Sequence, residues 1–342
     1  MRTRVAEKVE DTMPDVICMG ELLAEFVATT ENVSLADAPG FIKAPGGAPA
    51  NVAVAVQRLG LTAGFIGKVG DDPFGRFLTD ALEREGVDTS GTAVDANART
   101  TTVFVAVWDD GHKDLCFYRN PGADMLLETS ELDPGSLRSA RAFHYGSIGL
   151  IDEPIASAQR TAVQIAREAG ALISYDPNYR PTLWPSEARA REIIQSAYAG
   201  CHLAKVSEEE LDVATGHGDP DVAMNALLES GVELVVISRG AHGAPASNGT
   251  YRLEVPSPRV EVVETTGAGD GFVAALMVKL LPWRERLGSL ASIEQDVVRD
   301  ALEYAACVGA LTCTKPGAIP ALPTAAEVDQ FRRQGSGGSP RS

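Results

Sequence analysis

The stretch Glu264-Thr-Thr-Gly-Ala-Gly-Asp270 is the part of the chain best suited to chemistry, and it runs straight into an apolar segment, GFVAALMVKLL. That segment reads as a helix, which puts Asp270 at its N-terminal end, directly after a Gly-Ala-Gly turn. Small residues let a ligand approach the backbone closely. The free N–H groups at Gly267, Ala268 and Gly269, beside the positive end of a helix, suit an anion or the charge that develops on a transferring phosphoryl group. A carboxylate next to them can take the proton of an attacking hydroxyl. Hydroxyl acceptor plus phosphate donor is phosphotransfer. The same residues also make an ordinary glycine turn with an aspartate cap, and local sequence leaves both open. The glycines at 267, 269 and 271 lack G-x-G-x-x-G spacing, and the chain has no Walker-type G-x-x-x-x-G-K-[ST] loop.

A second stretch, Ala44-Pro-Gly-Gly-Ala-Pro-Ala-Asn51, also precedes a helical run of small apolar residues. Gly46 and Gly47 can expose backbone N–H groups, and Asn51 offers both a donor and an acceptor to hydroxyls. Tight packing of a helix on a sheet would call for the same small residues.

Elements to carry these stretches recur along the chain as short apolar runs followed by amphipathic ones. Runs at 16–20, 64–69, 142–145, 172–175, 203–206 and 234–238 alternate with helical patterns at 154–168, 187–198 and 221–229. Strands joined by crossover helices predict an α/β architecture: a doubly wound, mainly parallel sheet with helices on both faces. Two regions break the rhythm. Residues 99–119 alternate with period two, with Val103, Val105 and Val107 on one face, Phe104 and Trp108 on the other, and Asp109-Asp110-Gly111 as a turn. Residues 24–44 are poor in helix signals. The two excursions, about 22–46 and 98–120, predict a small β lid standing off the main sheet.

The chain has 342 residues and a formal net charge of −17, which argues against a broad nucleic-acid footprint while leaving room for a locally positive site. No apolar run approaches a membrane span, so no membrane partner is expected. The polar residues 1–14 read as an extension without a secretory signal, 15–333 as the main domain, and the Gly/Ser-rich 334–342 as a disordered tail. Cys18, Cys116, Cys201, Cys307 and Cys313 form no C-x-x-C pair, and the five histidines lack metal-ligand spacing. They predict reduced core or near-core thiols in a cytoplasmic protein.

Taken together, Gly-Gly-Ala-Pro-Ala-Asn, FIGKVGDDPFGRFL, YRNPGADMLL, FHYGSIGL, SYDPNYRPTLW, KVSEEEL, TTGAGD and GAIPALP, in that order, resemble the ribokinase-like (PfkB) sugar kinases, most closely the fructokinases. The likeness covers nearly all of 16–323. It implies transfer of a phosphoryl group from ATP to fructose, giving fructose 6-phosphate, with Asp270 as general base and the 267–269 turn as anion hole. It further implies that Glu25, Gly46, Gly47, Asn51 and Arg119 hold the sugar. Asn178, Arg180, Lys205, Ser238, Arg239, Gly240 and Gly243 would lie along the ATP. Glu210 would act on Mg²⁺ through water, and the lid would exclude water and offer a homodimer surface. Kinases for ribose or 2-keto-3-deoxygluconate share these motifs, and a catalytically silent scaffold of the same fold is a third reading. Three residues depart from the family pattern: Glu25 and Glu264 where Asp is usual, and Ala306 where fructokinases tend to carry Asn. The second of these puts K⁺ activation in doubt. Asp270 is expected to ionise as an ordinary aspartate.

Overall fold

The computed structural model describes residues 13–109 and 112–336. Its strands are β1 (Val16–Met19), β2 (Leu23–Ala28), β3 (Phe41–Gly46), β4 (Ala63–Gly70), β5 (Asp88–Asp95), β6 (Thr102–Val107), β7 (Lys113–Tyr118), β8 (Ala142–Tyr145), β9 (Leu172–Tyr175), β10 (Leu203–Ser207), β11 (Leu234–Ser238), β12 (Ala244–Ser247) and β13 (Arg252–Val255). Nine of them form one sheet in the order β13-β12-β11-β10-β9-β8-β1-β4-β5. It is parallel except at the β11-β12-β13 edge. Strands such as β4 (AGFIGKVG) are buried along their whole length, as a sheet covered on both faces requires.

The helices are α1 (Ala48–Arg58), α2 (Pro73–Arg84), α3 (Pro134–Ser139), α4 (Ile155–Glu168), α5 (Glu187–Ser196), α6 (Leu211–Thr215), α7 (Pro220–Glu229), α8 (Ala268–Leu287), α9 (Gln295–Thr312) and α10 (Ala325–Ser336). Caps set several boundaries. Asp72 accepts from the N–H groups of Phe74 and Gly75, with Pro73 opening α2, and Asp219 does the same for α7. Helix α8 is apolar nearly all round because it is buried within the cluster that also holds α1 and α9. The other face of the sheet is covered by α4, α5 and α7, whose buried residues form a second cluster. Helix α10 ends at Ser336, and residues 337–342 of the expected tail lie outside the described residues.

The remaining four strands form a separate sheet in the order β3-β2-β6-β7. Two antiparallel hairpins meet in a parallel pair, β2 with β6, so the lid is mixed. Residues 110 and 111 of the expected turn lie outside the described residues. One lid face gathers Leu23, Val103 and Val105 with Leu115 and Phe117. The other stacks Phe26 on Phe104, with Phe41 and Tyr118 edge-on to Phe104. Cys116 belongs to this outer face and is exposed, contrary to the expectation that every thiol is near the core. All five cysteines are unpaired.

Candidate active site

The carboxyl ends of the parallel strands and the lid enclose a cavity of about 430 Å³, at the place where open α/β sheets bind ligands. Asp270 stands in its wall at the third position of α8. Its Oδ2 accepts from Asn51 Nδ2 at 2.8 Å, and its Oδ1 lies 3.4 Å from Asn178 Nδ2. Helices α1 and α8 therefore bring together two polar residues 219 positions apart. Asp270 is only 7 % exposed. Burial pushes its carboxyl up to about 6, against the opposing hydrogen bond from Asn51 and the charge of Lys205, and Asp176 adds to the rise. This corrects the expectation of an ordinary aspartate: burial, which the local sequence does not display, makes Asp270 a stronger proton acceptor.

The turn before it has the geometry to receive an anion. Gly267 has φ of 79°, and the Ala268 N–H is turned back onto Thr265 O at 3.2 Å. Ala268 is thus the weakest of the three expected donors, because its amide closes the turn. The N–H groups of Gly267 and Gly269 have no partner among the described residues. A Cβ at Gly267 would sit 3.0 Å from Ala318 Cα in a backbone conformation side chains rarely adopt. We expect Gly267→Ala to lower kcat by about 10²-fold, the worth of a displaced oxyanion donor. Steady-state kinetics beside a thermal melt would check it. Unchanged kcat would contradict the role of the turn.

Two more acids face the cavity. Glu25 is held under the lid, and burial raises it to about 7, opposed by Lys113 and reinforced by Glu264 and Asp270. Gly46 does not line the cavity. It makes room for Glu25, whose carboxylate would collide with a Cβ at that position. The added methylene of Glu25 is thereby accommodated. Gly47, with φ of 115°, caps α1 and leaves space for Glu21 O. Glu21 accepts from Ala48 N–H at 2.9 Å, and burial lifts it to about 7. Sequence reasoning missed Glu21, although an acid directly after an apolar strand was a usable signal.

Arg119 is placed elsewhere than the sequence suggested. Its Nε donates to Asp124 at 2.7 Å at the root of the lid, and both side chains are buried, so it braces the lid instead of reaching over the cavity. A buried carboxylate five residues along captures the guanidinium before it can extend.

Lys205, Asp176, Glu210, Asn178 and Arg180 line the side of the cavity reached by β9 and β10. Lys205 Nζ lies 3.0 Å from Asp176 Oδ2. Burial would lower the ammonium, but Asp176 and Glu210 hold it above its ordinary value. Glu210 accepts from the N–H groups of Tyr179 and Ser207, and burial next to Asp176 raises it. Asp176, not singled out in the sequence, leaves Oδ1 buried without a partner. Among the described residues no cluster of three or more His, Cys, Asp or Glu could hold a metal alone. The residues do fit an ion carried in on phosphates with its own waters. Asp176 Oδ1 and the Glu210 carboxylate can accept from those waters. Glu264 does not fit a monovalent cation: one oxygen takes Gly317 N–H at 2.7 Å, and the other is shared by Thr266 and Lys113.

A second, mostly apolar cavity of about 540 Å³ adjoins the first, and Thr265 and Gly269 line both. Ser238, Gly240, Gly243 and Ala306 are in its wall. Arg239 is not. It pairs with Glu254 and donates to His242 O, so Glu254 of β13 turns it from the cavity. Ala306 leaves the wall of this cavity without the amide that the family pattern suggested.

A parallel sheet with a strand lid, two adjoining cavities and a buried carboxylate at a glycine turn define a phosphotransferase of the ribokinase-like class. The chain matches the model of the pfkB family carbohydrate kinases over residues 13–325, and it belongs to that family. It is 48 % identical over 315 residues to Fructokinase-1 of Oryza sativa subsp. japonica, covering 92 % of this chain and 96 % of that one. Among solved structures, the fructokinase of Xylella fastidiosa with bound ATP superposes with a TM-score of 0.83 at 32 % identity, covering 94 % of this chain and 98 % of that one. A fructokinase of Vibrio cholerae O395 with fructose, ADP and calcium gives a TM-score of 0.81 at 32 % identity, covering 93 % and 99 %.

Proposed function

We propose that this chain is an ATP-dependent fructokinase that converts D-fructose to fructose 6-phosphate. The observation that carries the reading is the buried Asp270 carboxylate, raised to about 6 and flanked by the unpartnered Gly267 and Gly269 amides. The 48 % likeness to a curated fructokinase supports fructose as acceptor. In this reading fructose lies in the lid-covered cavity against Glu25 and Asn51, and its primary hydroxyl faces Asp270. The nucleotide base lies in the apolar cavity, and its phosphates cross the shared wall at Gly269. Asp270 takes the hydroxyl proton as the sugar oxygen bonds to the γ-phosphorus and the bond from that phosphorus to the β–γ bridging oxygen breaks, releasing ADP. The turn amides, with Lys205 and Arg180 nearby, offset the charge on the transferring group. Asp176 and Glu210 would hold, through waters, a magnesium ion carried on ATP, which when bound would neutralise phosphate charge. No step is assigned to potassium.

Substrates in this reading are a small sugar and ATP. No helix among the described residues is long and apolar enough to cross a membrane. We place the enzyme in the cytoplasm. We take the exposed edge of the aromatic lid face, where Tyr118 is 65 % exposed, as a homodimer surface. The test is coupled ADP release over fructose, ribose and 2-keto-3-deoxygluconate. We expect kcat/KM for fructose to exceed the others by at least about tenfold, the effect of one well-placed hydroxyl contact. Preference for another acceptor overturns the fructose assignment. Turnover of none, with ATP still bound, would favour the scaffold.

A further inference from the structure

Helix α1 carries a working polar residue near each end. Asn51, in its first turn, holds Asp270. Arg58 is its last residue, about 10 Å further along the helix axis. A cation in a last turn ordinarily serves the carbonyls of its own helix. The guanidinium of Arg58 instead crosses to two other segments. Its Nε and Nη2 form a fork on Glu85, directly after α2, at 2.8 and 2.7 Å. Its Nη1 donates to the main-chain carbonyls of Ile319 and Leu322 at 2.9 and 2.5 Å. All three nitrogens are engaged, and the side chain is 19 % exposed.

The two carbonyls belong to a short buried turn, 318–322, in the stretch between α9 and α10. This turn backs the start of α8. Ala318 Cα is 3.0 Å from where a Cβ on Gly267 would sit, and Leu322 Cδ2 is 3.1 Å from where one on Gly271 would sit. One contact falls before Asp270 and the other directly after it. Glu264 pins the near end of the stretch by taking Gly317 N–H. Arg58 pins the far end, from the same helix that presents Asn51. That helix meets α8 within one apolar cluster, through small alanines and valines. Such a surface sets the distance between two helices but leaves them able to slide. Directed hydrogen bonds at one end of α1 do not allow that freedom.

We propose that Arg58 is a positioning residue for phosphoryl transfer, fixing α1 and the 318–322 turn in one register against the first turn of α8. It lines neither cavity and makes no contact with the reacting atoms. Its loss leaves the site residues in place but lets Asn51 and Gly267 drift relative to Asp270, which a near-attack geometry does not tolerate. Asp270 is also faced by Asp176 from the end of β9, by Lys205 from β10, by Asn178 and Arg180 from the loop after β9, and by Glu25 from β2. Arg58 holds none of these, so its effect reaches the Asp270 proton through Asn51 and the turn. The inference rests on the phosphotransferase reading above and does not depend on which sugar is the acceptor.

The test compares Arg58→Met with Arg58→Lys in the full chain, well below their melting temperatures, with whichever acceptor the wild-type protein turns over. Arg58→Met is expected to lower kcat by about 10–10²-fold, the cost of a misplaced reacting group. Arg58→Lys keeps the charge but cannot form the fork, and its kcat should fall between the two. In Arg58→Met the acidic limb of kcat/KM should move to higher pH by about half a unit or more, because the Asn51 bond that favours the ionised carboxyl weakens. The rate lost to Arg58→Met should be about threefold or more smaller in an Asn51→Ala background, as for residues acting through one contact. Hydrogen exchange at the Ala268 and Gly271 amides, which close the turn on Thr265 O and Gly267 O, needs no turnover and should quicken by about tenfold. A lower melting temperature with kcat and acidic limb unchanged makes Arg58 a brace of the fold alone and overturns the proposal. So does unaltered exchange at those two amides, or full additivity with Asn51→Ala. Wild-type kcat in Arg58→Lys overturns it too, since a bare charge would then suffice. If Arg58→Met does not fold, Arg58→Lys decides by the same measurements. If no sugar is turned over, the exchange result still decides whether Arg58 orders the turn, while the function proposed above falls separately.

Discussion

Replacing Asp270 by alanine should lower kcat by about 10²–10⁴-fold with little change in fold, the usual worth of a positioned general base. The carboxylate is held by one short hydrogen bond from Asn51 and buried beside Asp176, so its ionised form is poorly solvated. Its removal relieves that cost, and the melting temperature should hold or rise. The pH profile gives an independent sign. With the carboxyl raised to about 6, the active ionised form is lost as pH falls through that value. Below it, kcat/KM should drop by about one decade per pH unit, whereas an ordinary aspartate would keep activity to about pH 4. Asp270→Asn should abolish this limb together with most of the rate. Near wild-type kcat in either variant, or a flat profile down to pH 4.5, would remove Asp270 from the chemistry.

The residues legible in the sequence were those whose role is written in a few adjacent positions. The turn at 265–270 announces itself because glycines, a helix start and an acid are contiguous, and the parallel sheet because its buried strands recur. What the sequence hid was the destination of long side chains. Arg119 and Arg239 sit where a ligand contact is plausible, yet Asp124 and Glu254 capture them. Nothing local distinguishes a captured guanidinium from a free one. Lys113 was overlooked because the alternation of 99–119 drew notice to its valines. Its inward face follows only from the Val107–Lys113 register, which depends on how many residues the turn consumes. Asp176 lay in plain view in SYDPNYRP, but its importance comes from Lys205 on the neighbouring strand. Burial made the remaining difference. Glu21, Glu25 and Asp270 are raised to about 7, 7 and 6 by their surroundings, a property no residue type reveals.

Lys205→Met should be the most destabilising single change at the site, by about 3–5 kcal/mol, the range for breaking a buried ion pair from one side. Lys205 is 5 % exposed and Asp176 3 %, and their charged atoms are 3.0 Å apart. Without the ammonium, Glu210 keeps Arg180 as an opposing charge but faces the buried Asp176 carboxylate unscreened, which raises its cost of ionisation further. The loss should therefore be greatest at pH 8 and shrink as pH falls, because protonation relieves the repulsion. Adding Asp176→Asn should recover a good part of the lost stability, a non-additivity expected only of partners in one network. Denaturant unfolding of the four proteins at pH 6 and pH 8 measures both effects. The activity should not return with the stability. Lys205 Nζ lies 3.1 Å from where a side chain on Gly269 would begin, so its charge stands directly beside the anion-binding turn. A double variant that is stable yet slow would separate the two duties of this lysine: neutralising two buried acids in the resting fold, and lending positive potential to the phosphoryl group in flight. Recovery of both together would mean that Lys205 serves the fold alone.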